Sequence, residues 1–396
     1  MHNANYQVYF TCAHTNARLG ELRLKHGNVS TPVFLPVGSQ GSIRSLTSDD
    51  LEKIDVEMIL CNSYHLFLRP GVAIIERAGG LHNFIRWNRP ILTDSGGYQI
   101  FSLSSFNKIK DDGIYFRSHI DGSEHFITPE LSIDIQEKFG ADIIMALDIC
   151  PQNPINRRNV EYAVEITSQW AQRCVVAKHN NEQLLFGIIQ GGIYNDLRTK
   201  SVEQITCFDF PGYAIGGLSL GEPKADMWSV VAHTVSLIPV DKPRYLMGVG
   251  SPEDIINGVS MGIDIFDSAL PTRVARNGAL FTRNGRINIK RSQYRDIFDP
   301  IDKDCKCYTC RNYTAAYLHH LFKCEELLAY RLATIHNLFF LKMLINGIRD
   351  SIKNGNFPEF KDNFTNNYRT TDEECRINQK LRGLETKRNR IIKYFQ

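Results

Sequence analysis

Two short stretches carry the residue types that bond-breaking chemistry needs. In Leu92-Thr93-Asp94-Ser95-Gly96-Gly97-Tyr98-Gln99 an acid, a hydroxyl and two glycines stand in a row, and the glycines let backbone N–H groups approach a flat ligand closely. A second acid, Asp267, closes the run Ile263-Asp264-Ile265-Phe266 and is followed by Leu270-Pro271-Thr272-Arg273. Two carboxylates at one mouth are the equipment of glycosidic substitution: one attacks the sugar carbon, and the other moves protons on the leaving group. A third pattern, Cys305-x-Cys307-x-x-Cys310, gathers three thiols in one tight turn, which suits a tetrahedral ion with soft ligands, zinc first. Closure needs a fourth donor, and Cys324, His319, His320 and His336 are all available; spacing alone does not choose among them. A site with four protein ligands has no open position, so this ion is expected to be structural.

The elements that must position these groups follow from periodicity. Short apolar, β-branched runs recur between amphipathic stretches, the pattern of repeated βα units on a parallel sheet. Eight candidate strands are Val33 to Val37, Met58 to Cys61, Ile91 to Thr93, Ile143 to Leu147, Leu185 to Ile189, Tyr213 to Gly216, Tyr245 to Met247 and Ile263 to Phe266. Helices are predicted at Asp49 to Ile54, Val72 to Ala78, Pro129 to Phe139, Arg157 to His179, Asp196 to Ile205, Lys224 to Leu237 and Pro252 to Ser260. Asp94, Asp148, Gln190, Gly217 and Asp267 each fall at or just past the C-terminal end of a candidate strand. A (β/α)8 barrel gathers its active site there, whereas an open doubly wound sheet would not bring all five to one mouth.

The predicted organisation is a catalytic barrel over 1–272, a zinc-binding module over 273–338, a closing helix over 339–358 and a charged extension over 359–396, disordered or helical. The chain has 43% hydrophobic and 22% charged residues, an ordinary globular composition. Its net charge of +3 is too small to identify a polyanionic partner, because steering depends on local clustering. Basic residues cluster late: Arg273, Arg276, Arg283, Arg286, Lys290, Arg291 and Arg295, and again from Arg376 to Lys393. No apolar run approaches the roughly 18 to 20 residues that a membrane helix needs. The opening Met1-His2-Asn3-Ala4-Asn5 lacks a signal layout, so a cytoplasmic location and no membrane contact are expected. Most of the ten cysteines are accordingly expected to be reduced.

These residues together resemble the queuine/archaeosine tRNA-ribosyltransferase family, most closely its bacterial tRNA-guanine transglycosylases. The likeness runs from about Tyr9 to Arg349. It is carried by Thr93 to Gln99, Met145-Ala146-Leu147-Asp148, Ile189-Gln190-Gly191-Gly192, Gly216 to Glu222, Tyr245-Leu246-Met247-Gly248-Val249-Gly250, Phe266-Asp267, Pro271 to Gly278, and the cysteine turn with His336.

The resemblance implies Asp267 as nucleophile and Asp94 as proton donor and acceptor. It implies a base pocket of Asp94, Ser95, Gly96, Gly97, Tyr98, Asp148, Gln190, Gly217, Leu218 and Met247, with Tyr98 and Met247 sandwiching the base. RNA contacts are implied at Gly248, Val249, Gly250, Ser251, Pro252, Glu253 and Asp254, and at Thr272, Arg273, Val274, Ala275 and Arg276. Cys305, Cys307, Cys310 and His336 would hold one zinc per chain. The implied reaction exchanges the wobble guanine of tRNAs with a GUN anticodon for 7-aminomethyl-7-deazaguanine, on a homodimer, in queuosine biosynthesis. Leu220, a branched side chain beside the pocket, favours that small base over queuine. Ser268 stands where such proteins often carry cysteine, and the 359–396 tail exceeds their usual end. The rivals are a barrel metallohydrolase using the aspartates as ligands and a non-catalytic RNA-binding subunit.

Overall fold

The computed structural model describes residues 5–104, 106–151 and 156–370. Eight parallel strands form the centre: β1 Val33–Gly38, β2 Ile59–Asn62, β3 Ile91–Asp94, β4 Ile143–Met145, β5 Leu184–Ile189, β6 Tyr213–Ile215, β7 Arg244–Leu246 and β8 Ile265–Ser268. They pair in that order, and β8 returns to β1 to close a barrel. All eight candidate strands are therefore barrel strands. Their alternate residues point inward, so Val33, Leu35, Leu60, Leu92, Met145, Phe186, Ile188, Ala214 and Ile265 make one continuous interior. Each such side chain contributes about 1.5–3 kcal/mol by leaving water.

The outer helices begin where the local chemistry satisfies their first N–H groups. Thr128 Oγ1 accepts from Leu131 N ahead of Pro129–Phe139, and Ser251 Oγ from Asp254 N ahead of Pro252–Ser260, each with proline in the first turn. Threonine and serine are favoured cap residues, and proline suits the first turn, where its missing N–H costs nothing.

The barrel's N-terminal end is closed by a meander of Tyr6–Thr11, Arg18–Leu24 and Gly27–Thr31, which sequence patterning did not predict. Tyr6, Leu22 and Val29 extend the barrel interior. The fully buried Asp264 accepts from Arg18 Nη2 at 2.6 Å and from Tyr6 Oη at 3.0 Å. With this end sealed, the open mouth lies at the C-terminal ends of the strands.

A second unpredicted sheet, Asn107–Lys110, Gly113–Arg117 and Glu124–Ile127, is inserted after β3. Beyond β8 come the helix Leu270–Arg276, a hairpin of Ala279–Thr282 and Gly285–Asn288, and short helices leading to the long helix Leu327–Lys353. That helix runs unbroken through Leu338, where the sequence suggested a division. Among the described residues it is also the one helix long and apolar enough to cross a membrane. Its charges interrupt the apolar run, and most of it is buried against the barrel, with Lys342 and Arg349 both pairing with Glu57 at 2.7 Å. The proposed extension starts inside the helix Phe357–Asn367, whose Phe357 is buried and whose Phe360 and Phe364 pack on the core. The basic run Arg376 to Lys393 lies outside the described residues.

Candidate active site and metal centre

Strands β3 and β8 deliver the two acids to the same mouth. Asp94 ends β3, and Asn62, its register partner at the end of β2, donates its amide to Asp94 Oδ2. Ser63 N donates to Oδ1 at 3.1 Å, and the Ser63 hydroxyl also reaches Asp94. Burial raises the Asp94 carboxyl to about 7, with the charge of Asp267 adding to it and the Ser63 and Asn62 donors opposing. Near neutrality this group can both give and take a proton.

Asp267 sits on β8 in a different environment. Its Oδ1 accepts from the Tyr245 hydroxyl at 2.6 Å and from Gly248 N at 2.7 Å. Burial raises this carboxyl too, and the two donors pull it back toward ionisation. Two carboxylates, one poised near neutrality and one held by donors to its anion, have environments that suit different tasks in acid–base or nucleophilic chemistry. The charge of Asp267 bears on Asp94, and both acids lie at strand ends at the same mouth of the barrel.

Ser95, next in the chain to Asp94, joins a cluster of buried polar groups at the neighbouring strand ends. Gln190 Nε2 donates to Asp148 Oδ2 at 2.7 Å, and Ser95 Oγ to Asp148 Oδ1 at 3.1 Å. Burial raises Asp148 to about 6 against those donors. Gln190 is fully buried, yet among the described residues its Oε1 has no partner; a buried acceptor left open in this way is costly unless a ligand fills it. Gly217 is required here: at φ +67, a Cβ would stand 2.3 Å from Gln190 Oε1. Gly97 is equally constrained, since a Cβ would meet Asp148 O at 2.7 Å. Leu218 is buried and Met247 half-buried, while Tyr98 keeps 44% of its surface exposed. Glu222 accepts from Leu220 N at 2.9 Å and Gly221 N at 3.0 Å, which fixes the turn carrying Leu220.

The stretches expected to meet RNA divide in two. Val249, Gly250 and Pro252 are buried, Ser251 caps a helix, and Glu253 and Asp254 pair with Lys224. Gly248 is the part of this stretch that bonds Asp267, its N–H donating to Oδ1. In the helix after β8, Thr272 and Ala275 are buried and Val274 half-buried, whereas Arg273 is exposed. Arg276 is half-buried, with Nη1 donating to Thr272 O at 2.9 Å. Ser268 has a defined local role, its hydroxyl accepting from Leu270 N at 3.1 Å.

Sequence reasoning overlooked Asn62, Ser63 and Tyr245. The first two end a barrel strand as the recognised acids do, so the same rule would have found them. Tyr245 carried no signal, because its hydroxyl reaches Asp267 only across neighbouring strands.

Among the described residues, two groups could hold a metal, and neither contains Asp94 or Asp267. In the first, Cys305, Cys307 and Cys310 place Sγ at 3.8, 3.6 and 3.3 Å from His336 Nδ1. His336 is fully buried, and its Nε2 lies 2.7 Å from Phe281 O, which holds the ring with Nδ1 toward the thiols. His319 instead bonds Ile289 O at 2.7 Å, and His320 lies beside Cys324; the fourth donor is therefore His336. The second group, His26, His82 and Asp142, lies beside the N-terminal meander. Its imidazoles stack at 3.5 Å with an 18° interplanar angle, so one ion cannot lie in both ring planes.

A family profile described as queuine tRNA-ribosyltransferase matches residues 12–370. The chain belongs to the queuine tRNA-ribosyltransferase family. It is 55% identical over 374 residues to the queuine tRNA-ribosyltransferase of Dehalococcoides mccartyi, covering 94% of this chain and 95% of that protein. Those of Halothermothrix orenii and Dictyoglomus turgidum are 54% and 53% identical, covering 89% and 92% of this chain and 95% and 94% of those proteins. Queuine tRNA-ribosyltransferases are pentosyltransferases, and this chain is accordingly an enzyme of tRNA modification, a tRNA-guanine transglycosylase. Membership excludes the metallohydrolase reading.

Proposed function

We propose that the enzyme exchanges the wobble guanine of tRNAs with a GUN anticodon for 7-aminomethyl-7-deazaguanine through a covalent glycosyl-aspartate. The observation that carries this reading is the pair of unlike buried carboxylates, Asp267 held by Tyr245 and Gly248 and Asp94 poised near neutrality. Asp267 attacks the anomeric carbon of the ribose while Asp94 protonates or hydrogen-bonds the departing guanine. The incoming base then displaces Asp267 from the same face, with Asp94 taking its proton, so configuration is retained. Ser95, Gly96, Gly97, Asp148, Gln190, Gly217 and Leu218 hold the purine edges, and Tyr98 and Met247 its faces. The open Gln190 acceptor and the Asp148 carboxyl support that assignment.

The metal is proposed to be one zinc per chain, for which three thiolates and an imidazole are the fitting donor set. It would be structural: beside His336, Asn337 bonds Pro271 O and Ala279 O, both at 3.0 Å, so the ion braces the helix carrying Arg273 and Arg276. A cytoplasmic homodimer completes the proposal. The ring series Tyr308, Tyr313, Tyr317 and His320, with Tyr308 49% and Tyr317 40% exposed, supports a second copy as its cover.

Mass analysis of tRNA digests after incubation with each base tests the base and its position. Incorporation of 7-aminomethyl-7-deazaguanine at the wobble nucleotide is expected, with queuine excluded. Leu220→Gly should admit queuine if the side chain of Leu220 narrows the space beside the 7-substituent. Efficient queuine incorporation by the unaltered enzyme would refute this choice of base.

A further inference from the structure

The barrel order places β8, β1, β2 and β3 side by side, from the strand of Asp267 to that of Asp94. The segments that follow these four strands carry cations in the same sequence. Arg273 and Arg276 follow β8, Arg44 lies in the connection after β1, Arg69 follows the short helix Ser63–Leu68 after β2, and His119 lies in a turn of the sheet inserted after β3. Arg44, Arg69, Arg273 and His119 are exposed. Among the described residues, none of the four arginines pairs with a carboxylate. Like charges gathered without counter-ions are unfavourable in the free protein and favour an absent polyanion.

The charges also act on neighbouring groups. Burial lowers Arg276, and the charges of Arg44 and Arg273 lower it further. Burial holds His65 down at about 4, with His119 and Arg44 adding to it, and Arg69 adds to the burial that lowers His119. Tyr64 Oη lies 2.8 Å from His119 Nδ1. Burial pushes the Tyr64 hydroxyl up to about 12. The Tyr64 bond engages Nδ1 and leaves the Nε2 edge of the exposed His119 ring for a ligand. Asp121, the nearest acid in sequence, is occupied by Ser123, accepting from its hydroxyl at 2.7 Å and its N–H at 3.2 Å.

We infer that Arg44, Arg69 and His119 form a phosphate-binding collar that continues the Arg273–Arg276 surface around the mouth and grips the RNA backbone beside the exchanged nucleotide. The segments bearing Arg44 and Arg69 carried no functional signal in sequence. Backbone contacts of this type fix register rather than identity, which suits an enzyme that must hold one unpaired nucleotide over the paired acids. This inference rests on tRNA being the substrate.

The test is tRNA affinity measured against salt concentration for the unaltered enzyme, Arg44→Ala, Arg69→Ala, their double variant, Arg44→Lys and His119→Ala. Each arginine lost should weaken binding about tenfold at low salt and reduce the slope of log affinity against log salt by about one. Arg44→Lys should keep the slope, and His119→Ala should weaken binding without changing it, since the lost ring is neutral. Unchanged thermal unfolding and metal content would show that the variants fold. An unchanged slope in the folded double variant would overturn the collar while leaving the tRNA reading intact; an unaltered enzyme that binds no tRNA would overturn that reading itself. Inorganic phosphate supplies the other arm: calorimetric binding that vanishes in Arg44→Ala while the tRNA slope stays constant would assign these residues to free phosphate and also overturn the proposal.

Discussion

Replacing Tyr245 with phenylalanine removes one hydroxyl from the barrel interior and should move the acid limb of the exchange reaction upward. The hydroxyl donates to Asp267 Oδ1 at 2.6 Å, and Gly248 N donates to the same oxygen at 2.7 Å. Both stabilise the ionised carboxylate against a burial that raises it. A hydrogen bond to a charged group contributes about 1.5–3 kcal/mol, equivalent to about one to two pH units at 1.36 kcal/mol per unit. Losing a donor to the anion raises the Asp267 pKa, so less nucleophile is ionised on the acid side and kcat/KM falls there first. Tyr245 is fully buried, and phenylalanine keeps its ring, so barrel packing should survive. The alkaline limb should remain near the value of about 7 set by Asp94, although the two limbs belong to the coupled pair. The assay is the pH dependence of labelled-guanine exchange into tRNA for both proteins. An acid limb left in place, with activity lowered equally at all pH, would refute an ionised Asp267 sustained by Tyr245.

Removing the metal by chelation, or by Cys307→Ala, should lower the unfolding temperature and loosen the hairpin and the helix Leu270–Arg276, read by hydrogen exchange, because His336 and Asn337 anchor both. Elemental analysis should find one zinc per chain, and a value near zero in protein purified without chelator would contradict this. Arg273→Ala and Arg276→Ala should raise KM for tRNA far more than for guanine, with lysine rescuing only part because it lacks the paired guanidinium donors; equal losses on both substrates would count against RNA contact. Asp264→Asn should cost about 3–5 kcal/mol by breaking a buried ion pair, since Asp264 is fully buried and holds Arg18 at 2.6 Å; calorimetry showing a loss below 1 kcal/mol, estimated as for an exposed pair, would contradict that role.

The barrel was legible because its strands are compact β-branched runs alternating with amphipathic helical stretches. The N-terminal meander escaped because strands such as Tyr6–Thr11 alternate buried and exposed positions over a few residues, with polar residues among them. The two acids were legible as polar residues at strand ends. Their supporting donors were less so: Tyr245 lies 22 residues from Asp267 and Ser63 lies 31 from Asp94, and only barrel closure makes them neighbours. The choice of His336 among four possible donors likewise needed the fold, since the long helix brings its imidazole back to the cysteine turn.

The central claim is that Asp267 bonds covalently to ribose. Its most direct test is a denaturing gel of enzyme incubated with substrate tRNA, run for the unaltered protein and for Asp267→Asn, with tRNA binding measured separately. The expected result is a slow-migrating RNA–protein band that is lost in the variant, while tRNA affinity stays within a few fold, since the amide keeps the shape but is a poor nucleophile. A full-strength band from Asp267→Asn would contradict the account and move the nucleophile to another residue.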